Sequence, residues 1–322
     1  MAALLEVEDL RVDIPTPAGP LHAVRGIDLR LEQGETLCLV GESGCGKSLT
    51  ALALMGLLPA RARRSAGRLE FSGQDLLALS ERGMADLRGD RIAMVFQEPM
   101  TSLNPAYTVG NQLEEALLRH RRLTRAKARE RAVFLLDRVG IMGAGSRLQQ
   151  YPHQLSGGLR QRVMIAMALM CGPELIVADE PTTALDVTIQ AQILHLLKEL
   201  QREFRMALML ITHDLGIVAR VADRVAVMYA GEVVESAPVD ALFRAPRHPY
   251  TQGLMRCIPV PGRTQPGEKL GVIAGLVPTP IGELRGCQFR NRCEQAQAGC
   301  AEPGPAFARI AAEHRVRCVL AS

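Results

Sequence analysis

A glycine-containing loop near residue 45 has the spacing that proteins use to bind phosphate groups. It matches the pattern G-x-x-x-x-G-K-[ST] and consists of Gly41, Glu42, Ser43, Gly44, Cys45, Gly46, Lys47 and Ser48. Glycines let the backbone N–H groups of such a loop turn towards phosphate oxygens, and the N-terminus of the following helix adds its positive dipole. Lys47 would supply a positive charge to the β- and γ-phosphates, and Ser48 a hydroxyl ligand to Mg²⁺. The loop therefore predicts the binding of a nucleoside triphosphate.

Two adjacent carboxylates follow a short apolar segment further along the chain. Residues 175–178 are typical of a buried strand, and Asp179 and Glu180 stand at its C-terminal end, where open α/β sheets bind their ligands. Asp179 would hold Mg²⁺ through water, and Glu180 would orient or activate an attacking water. In a chain that also has a phosphate loop, this pair indicates hydrolysis of the bound nucleotide.

A second glycine-containing segment stands directly before another predicted helix. Ser156, Gly157 and Gly158 precede a helix predicted over residues 160–170, and together they form a second phosphate-binding N-terminus. An ordinary phosphate-loop enzyme needs only one such N-terminus. This segment therefore distinguishes the chain from that larger class.

Alternating strands and helices position these residues, in the pattern of an α/β nucleotide-binding fold. The predicted strands are 4–12, 23–31, 36–40, 91–96, 175–178, 207–211 and 225–229, and the predicted helices are 49–58, 111–120, 125–139, 160–170, 187–204 and 215–221. Strand, glycine loop and helix follow one another at the phosphate loop, which is the context that the motif requires. From residue 258 to 286 proline and glycine are frequent, which predicts a linker or an extended arm.

Composition excludes several classes of protein. The chain has 322 residues, of which 48% are hydrophobic and 22% charged, so we expect a large core and two domains. No apolar run approaches the roughly 20 residues of a membrane-spanning helix. The first ten residues carry acids where a signal peptide is basic and then apolar, so we expect a protein that is not secreted. Aromatic residues make up only 3%, too few for a surface that stacks bases, so we expect no nucleic-acid partner.

The motifs, in their order along residues 4 to about 235, resemble the ATP-binding subunits of ABC transporters. The matches are the Walker A loop at 41–48, the Q-loop glutamine Gln97, the signature motif at 155–161, the Walker B pair Asp179 and Glu180, the D-loop at 184–186 and the switch histidine His213. What this resemblance implies is a composite site, shared between two such subunits.

The resemblance assigns a role to each matched residue. Gln97 would sense Mg²⁺ and the attacking water, at the place where membrane subunits push. Ser156 and the two glycines after it would bind the γ-phosphate of an ATP held by the partner subunit, and Asp186 would link the two sites. His213 would contact the γ-phosphate and stabilise the transition state. Catalysis would thus involve Glu180, His213 and Gln97, and Mg²⁺ would be held by Ser48, Gln97 and Asp179.

One position departs from the family pattern. An aromatic residue usually stacks on adenine upstream of the phosphate loop, but this chain has no Phe, Tyr or Trp before Phe71. We expect Ile14, His22 or Arg25 to cover the base instead.

Further segments resemble the dipeptide and oligopeptide branch of the ABC importers. They are EPMTSLNP at 98–105 and HPYTQGL at 248–254, and the run LMGLLP at 54–59 resembles the first, D-type, of two paired ATPase subunits. Importers of nickel and of glutathione share this branch. Peptides are therefore the expected cargo, with nickel and glutathione as alternatives.

Four of the eight cysteines lie within the last 36 residues: Cys287, Cys293, Cys300 and Cys318. In a reducing compartment clustered cysteines more often bind metal than form disulfides, and these gaps are wide for zinc. Four thiolates suit a [4Fe–4S] cluster, and similar subunits carry one, so the resemblance implies that cluster here. Zinc, with His314 as a competing ligand, and free or disulfide-bonded cysteines are the alternatives.

The expected fold is α/β, a RecA-like phosphate-loop ATPase core with an antiparallel β subdomain and a helical subdomain over about 99–168. An ABC nucleotide-binding domain, 1–235, would be followed by a C-terminal extension, 236–322, which contains the four cysteines and has eleven basic against six acidic residues. The resemblance implies an ATPase that uses ATP and Mg²⁺ to power peptide uptake, as a peripheral protein on the cytoplasmic face of the bacterial inner membrane.

The same resemblance implies partners: a second, related ATPase subunit, two integral membrane permease subunits, and a periplasmic or extracellular substrate-binding protein. Two other classes of protein fit less well. A soluble ABC-class ATPase of translation or DNA repair would carry two nucleotide domains or a long coiled-coil insertion, neither of which the sequence contains. A metal-cluster sensor that only binds nucleotide would be expected to lack Glu180 or His213, yet both are present.

Overall fold

A computed structural model of the protein describes residues 3–183, 185–258, 271–282, 284–302 and 307–321. The strands are β1 Leu5–Thr16, β2 Gly19–Leu31, β3 Thr36–Val40, β4 Arg63–Ser65, β5 Arg68–Phe71, β6 Gln74–Asp75, β7 Ile92–Val95, β8 Leu175–Asp179, β9 Ala207–Thr212, β10 Arg224–Tyr229, β11 Glu232–Pro238, β12 Ala308–Arg309 and β13 Arg315–Val316. The helices are α1 Lys47–Met55, α2 Glu81–Leu87, α3 Pro99–Ser102, α4 Val109–His120, α5 Arg125–Arg138, α6 Ala144–Arg147, α7 Gly157–Ala168, α8 Val187–Phe204, α9 Leu215–Val221, α10 Val239–Arg244 and α11 Pro249–Arg256, together with short 3-10 turns at Pro152–Gln154, Arg290–Arg292, Ala298–Ala301 and Val319–Ala321.

The chain forms two compact units. The first unit consists of Met1–Leu31, Thr36–Leu77 and Thr212–Ser322, and the second of Glu32–Glu35 and Ala78–Ile211. The C-terminal extension is therefore in the same unit as the phosphate loop.

The first unit contains two groups of paired strands. One is an antiparallel sheet in the order β2-β1-β5-β6, with β4 paired to β1. In the other, β3 is parallel to β10, which continues antiparallel through β11 and β13 to β12. All five residues of β3 are buried, so the strand that leads into the phosphate loop belongs to the core.

The second unit combines a parallel sheet with a group of helices. Strand β8 lies between β7 and β9, parallel to both, and all of its residues are buried, as its continuous apolar sequence predicts. Helices α3 to α7 lie within the range for which we predicted a helical subdomain, and α4, α5 and α7 pack against one another. The domain boundary proposed near residue 235 stays a prediction.

Local residue chemistry decides where the predicted elements begin and end. The strand predicted at 36–40 is confirmed without change. The helix predicted at 49–58 instead runs from Lys47 to Met55, because Gly56 adopts a left-handed conformation with a φ of 64° and caps its C-terminus. The helix predicted from residue 160 begins at Gly157, because the Ser156 hydroxyl accepts a hydrogen bond from the Leu159 N–H and caps the first turn.

The predicted arm at 258–286 is only partly described, since residues 259–270 and 283 lie outside the described ranges. Residues 271–282 form no helix or extended strand, but they are held against β2. Leu21 forms a single β-bridge with Ile281, and the His22 N–H donates to the Pro280 carbonyl at 2.8 Å. This part of the arm is therefore attached to the first unit and is not a free linker.

A buried carboxylate connects residues near the C-terminus to the core of the first unit. Glu235, on β11, is completely buried, and its carboxylate accepts hydrogen bonds from the N–H groups of Arg247 and His248 at 2.8 and 2.9 Å. His314 Nε2 lies 2.8 Å from the same carboxylate. One side chain thus connects the start of α11 and the β12–β13 hairpin to the core.

Replacing Glu235 with alanine should destabilise the first unit strongly. The backbone N–H groups of Arg247 and His248, the latter buried, and the ring of His314 would lose their partner. A buried unsatisfied donor costs about 1–3 kcal/mol. We expect the free energy of unfolding to fall by about 2–4 kcal/mol, measured by urea titration followed by circular dichroism. Glu199→Ala, at an exposed position on α8, is the matched control and should change stability little. Equal stabilities of the two variants would contradict this account of Glu235.

Candidate nucleotide-binding site

The phosphate loop connects β3 to α1 in the first unit. Gly44 and Gly46 adopt φ angles of 80° and 104°, a region that favours glycine. A Cβ atom at Gly46 would lie 2.3 Å from the Ala23 carbonyl oxygen, so no other residue fits there without displacing the backbone. Because Gly46 is also the N-cap of α1 and has no side chain, no side-chain cap covers the first N–H groups of this helix. The loop thus has the backbone that anion binding requires.

The ammonium group of Lys47 points back into this loop. Lys47 is only 5% exposed, and its Nζ donates to the carbonyl oxygens of Gly41 and Glu42 at 2.8 and 3.0 Å. A buried positive charge held by neutral carbonyls is favourably placed for an anionic ligand, because a phosphate would neutralise it. Ser48 follows in the first turn of α1.

Two residues that the sequence analysis did not assign to the site contact Glu42 of the phosphate loop. The Glu42 N–H donates to the Tyr250 hydroxyl at 2.9 Å, and the Glu42 carboxylate accepts from Nη1 and Nη2 of Arg292 at 2.7 and 2.9 Å. Tyr250 belongs to the HPYTQGL segment, and Arg292 directly precedes Cys293. The sequence analysis interpreted the HPYTQGL segment as an indicator of cargo and Cys293 as a metal ligand, so it assigned neither Tyr250 nor Arg292 to the nucleotide site.

His213 and the three candidates for adenine also lie in the first unit. His213 is exposed in the turn after β9, and the Asp214 carboxylate next to it caps α9 by accepting from the N–H groups of two residues in its first turn. His22 Nδ1 lies 2.6 Å from Asp13, and Arg25 Nη1 lies 3.3 Å from both the Ala230 carbonyl and Glu232. These two side chains are therefore already engaged by other groups, and Ile14 is partly buried.

The second unit brings Gln97 and Glu180 together. Glu180 follows β8 directly, and its Oε2 accepts from Gln97 Nε2 at 3.2 Å and from the Thr183 hydroxyl at 2.8 Å. Its backbone is in the left-handed region, with a φ of 44°, which is uncommon for a non-glycine residue and is found preferentially at functional sites. Asp179, the last residue of β8, is only 6% exposed. The predicted carboxylates thus occupy the C-terminal end of a buried parallel strand.

The predicted signature and D-loop residues are also neighbours within the second unit. A Cβ atom on Gly157 would lie 3.7 Å from the Leu185 side chain, and one on Gly158 would lie 3.2 Å from that of Ile189. Asp186 is the N-cap of α8, and its Oδ1 accepts from the Ile189 N–H at 3.0 Å. Ala184 of the predicted D-loop lies outside the described residues.

The predicted [4Fe–4S] cluster is wrong. Cys287, Cys293, Cys300 and Cys318 line one small cavity and are all free, but no group of three or more Cys, His, Asp or Glu among the described residues could hold a metal ion. A cluster needs its ligand atoms arranged around one centre, and the spacing of cysteines along the chain does not ensure that arrangement. Burial raises the pKa of Cys287, Cys293 and Cys318.

The same finding applies to zinc among the described residues, and all four cysteines are free thiols in the structure. His314, considered as a competing ligand, pairs with Glu235 instead. The described parts of the extension are held by protein contacts, namely the Glu235 bonds, the Arg292–Glu42 pair and packing of Phe289 against Tyr229 and Tyr250.

Among the described residues, every helix is too short or too polar to span a membrane.

Two family models match the chain. One, described as ABC transporter, matches residues 24–183, and one described as Oligopeptide/dipeptide transporter, C-terminal region, matches residues 234–300. The oligopeptide transport ATP-binding protein AppD of Bacillus subtilis (strain 168) is 48% identical over 322 residues, which cover 99% of this chain and 97% of AppD. The dipeptide transport ATP-binding protein DppD of Escherichia coli (strain K12) is 50% identical over 316 residues, which cover 98% of this chain and 96% of DppD.

Solved structures of ATP-binding cassettes share the fold. The dimeric cassette MJ0796 bound to ADP and Pi is 27% identical, with a TM-score of 0.66 over 73% of this chain and 98% of that one. CbiO1 from Clostridium perfringens, part of the ABC transporter complex cbiONQ, is 30% identical, with a TM-score of 0.65 over 76% of this chain and 92% of CbiO1. The expected α/β ATPase fold, with its antiparallel sheet and helical parts, is thereby confirmed. The chain belongs to the ABC transporter family, in the branch of the oligopeptide and dipeptide transport ATP-binding proteins.

Proposed function

We propose that this chain binds and hydrolyses ATP to power the uptake of dipeptides or oligopeptides through an ABC importer. The observation that supports this best is the phosphate loop, in which a buried Lys47 is held among glycines at the start of α1. Near-50% identity to peptide transport ATP-binding proteins over almost the whole chain supports the cargo class.

The donor set at the two motifs fits Mg²⁺. Mg²⁺ prefers hard oxygen ligands, and Ser48 offers a hydroxyl and Asp179 a largely buried carboxylate at the end of β8. When bound, Mg²⁺ would offset the negative charge of the phosphates. The side-chain amide oxygen of Gln97, which is neutral, is the third proposed ligand of Mg²⁺.

Each protein group then has a separate task in hydrolysis. Lys47 and the loop N–H groups bind and orient the phosphates. Glu180 accepts a proton from the attacking water or orients that water, and its hydrogen bonds from Gln97 and Thr183 hold the carboxylate in one orientation. His213 donates to the γ-phosphate oxygens as their charge grows.

We further propose that two ATPase subunits complete each other's sites. Ser156, Gly157 and Gly158 at the start of α7 would bind the γ-phosphate of an ATP held by the other subunit, and Asp186 would connect the two sites. That other subunit would be a related second ATPase. Two membrane permease subunits and an external substrate-binding protein would complete the importer, with this chain on the cytoplasmic face of the inner membrane.

Hydrolysis by the purified chain alone should be slow and should depend on its concentration. Since the Ser156 segment acts on ATP held by a second chain, the rate per chain should rise with concentration as dimers form. The measurement is phosphate release over a dilution series, with Glu180→Gln protein subtracted as the background. Fast hydrolysis that does not change on dilution would contradict the shared site.

The cargo can be identified by measuring uptake into vesicles that contain this chain assembled with its membrane subunits. ATP-dependent entry of a radiolabelled dipeptide, unaffected by excess Ni²⁺ or glutathione, would support the proposal. If nickel or glutathione entered the vesicles and the dipeptide did not, the proposed cargo would be wrong, whereas the proposed ATPase mechanism would stand.

A further inference from the structure

The C-terminal extension reaches the phosphate loop through two side chains. Tyr250, at the start of α11, accepts a hydrogen bond from the Glu42 N–H at 2.9 Å. Arg292, more than forty residues later, donates two hydrogen bonds to the Glu42 carboxylate at 2.7 and 2.9 Å. Both contacts lie within the first unit.

Arg292 is held firmly enough to position its partner. Its side chain is only 4% exposed, and it also donates from Nε to the Ala274 carbonyl at 2.9 Å and from Nη2 to the Ile273 carbonyl at 3.0 Å. Hydrogen bonding to Glu42 raises the pKa of Arg292, so the guanidinium stays charged at every physiological pH. A buried guanidinium needs a carboxylate to offset its desolvation, which makes Glu42 difficult to release.

Packing of aromatic rings supports the contacts that Tyr250 and Arg292 make with Glu42. The rings of Tyr229 and Tyr250 lie 4.6 Å apart between centroids, and the ring of Phe289 lies 5.3 and 5.4 Å from them. The Arg292 guanidinium lies 5.8 Å from the Tyr229 ring centroid. Aromatic pairs at these distances attract one another beyond the effect of their buried area, so the cluster is a rigid support.

Glu42 is consequently held at three points. Its N–H is bound by Tyr250 and its carboxylate by Arg292, while its carbonyl oxygen accepts from Lys47 Nζ at 3.0 Å. Lys47 is the residue that would meet the phosphates, so a displacement of Glu42 would alter the position of that ammonium group directly.

We infer that Arg292 and Tyr250 are positioning residues for ATP, which hold the phosphate loop in its binding conformation through Glu42. This inference rests on the proposed function, since it concerns the affinity of the same loop for ATP. It gives the C-terminal extension a task in nucleotide binding that is independent of any metal. Neither residue needs to touch the nucleotide.

The test is the affinity of the full-length chain for ATP, measured by isothermal titration with Mg²⁺ present. Arg292→Gln should raise the Kd for ATP about three- to tenfold, because part of the strength of a charge-assisted bidentate pair is lost from the loop. Tyr250→Phe, which removes only the accepting oxygen, should raise it less. In the assembled transporter the KM for ATP should rise while kcat changes little.

A double-mutant cycle separates positioning from general loss of structure. If Arg292 acts through Glu42, the Kd values of Glu42→Gln, Arg292→Gln and the double variant should be alike. Glu42→Gln keeps one side-chain oxygen that can accept from Arg292 and leaves the aromatic cluster unaltered, so it reports on the pair even if Arg292→Gln is poorly folded. Arg256→Gln is the matched control, since it breaks an exposed ion pair with Glu294 elsewhere in the extension and should leave the Kd unchanged.

The possible outcomes are distinct. Unchanged ATP affinity in both Glu42→Gln and Arg292→Gln would overturn the inference, and so would effects that simply add in the double variant. Wild-type protein that binds no ATP would instead overturn the proposed function.

Discussion

Glu180→Gln should bind ATP with nearly wild-type affinity and hydrolyse it at least about a hundredfold more slowly in the assembled transporter, since general-base catalysis contributes roughly 10²- to 10⁴-fold. The substitution removes the basic carboxylate but keeps an oxygen that can accept from Gln97 or Thr183, so the local structure should persist. The measurements are steady-state ATPase rate and ATP affinity on the same preparation.

Glu130→Gln is the matched control, because Glu130 is exposed on α5 in the same unit. It should change neither quantity. A Glu180→Gln transporter that hydrolyses ATP at close to the wild-type rate would show that another group activates the water.

Lys47→Ala should act at an earlier stage, by weakening the binding of ATP itself about a hundredfold. The buried ammonium would make charge-assisted hydrogen bonds to phosphate, worth about 1.5–3 kcal/mol, and a tenfold change in affinity corresponds to about 1.4 kcal/mol. The substitution also removes the two hydrogen bonds to the Gly41 and Glu42 carbonyls that organise the loop. Isothermal titration with ATP and Mg²⁺ measures the loss.

Lys127→Ala provides the comparison, since Lys127 is exposed on α5 and lies in no nucleotide motif. Its affinity for ATP should equal that of the wild type. If Lys47→Ala also kept full affinity, the phosphate loop would not be the ATP site.

The two variants divide the proposed reaction into its parts. A loss of ATP binding with Lys47→Ala would show that the phosphates bind at the phosphate loop. A loss of turnover with Glu180→Gln would show that the attacking water is activated at the carboxylate pair after β8. The Arg292 variants add a third class, in which affinity falls although the altered residue belongs to the C-terminal extension.

The cysteines show where an argument from spacing fails. Four thiols close in sequence are also close in space, around one cavity, as expected. Metal binding also requires ligand atoms arranged around one point, and no such group is found among the described residues. That arrangement is a property of the folded chain, so residue spacing could not reveal it.

The phosphate loop, the Asp179–Glu180 pair and the order of the motifs are recognisable in the sequence, because each depends on neighbours in the chain. Glycines at 44 and 46 permit their φ angles locally, and a continuous apolar run specifies the buried strand β8 wherever it packs. The side chains that support these motifs become visible in the folded chain. Glu42 meets Arg292 across 250 positions, and Gln97 meets Glu180 across 83. Such contacts depend on how strands and turns pack. A local pattern of residues does not show which distant segment will lie beside it.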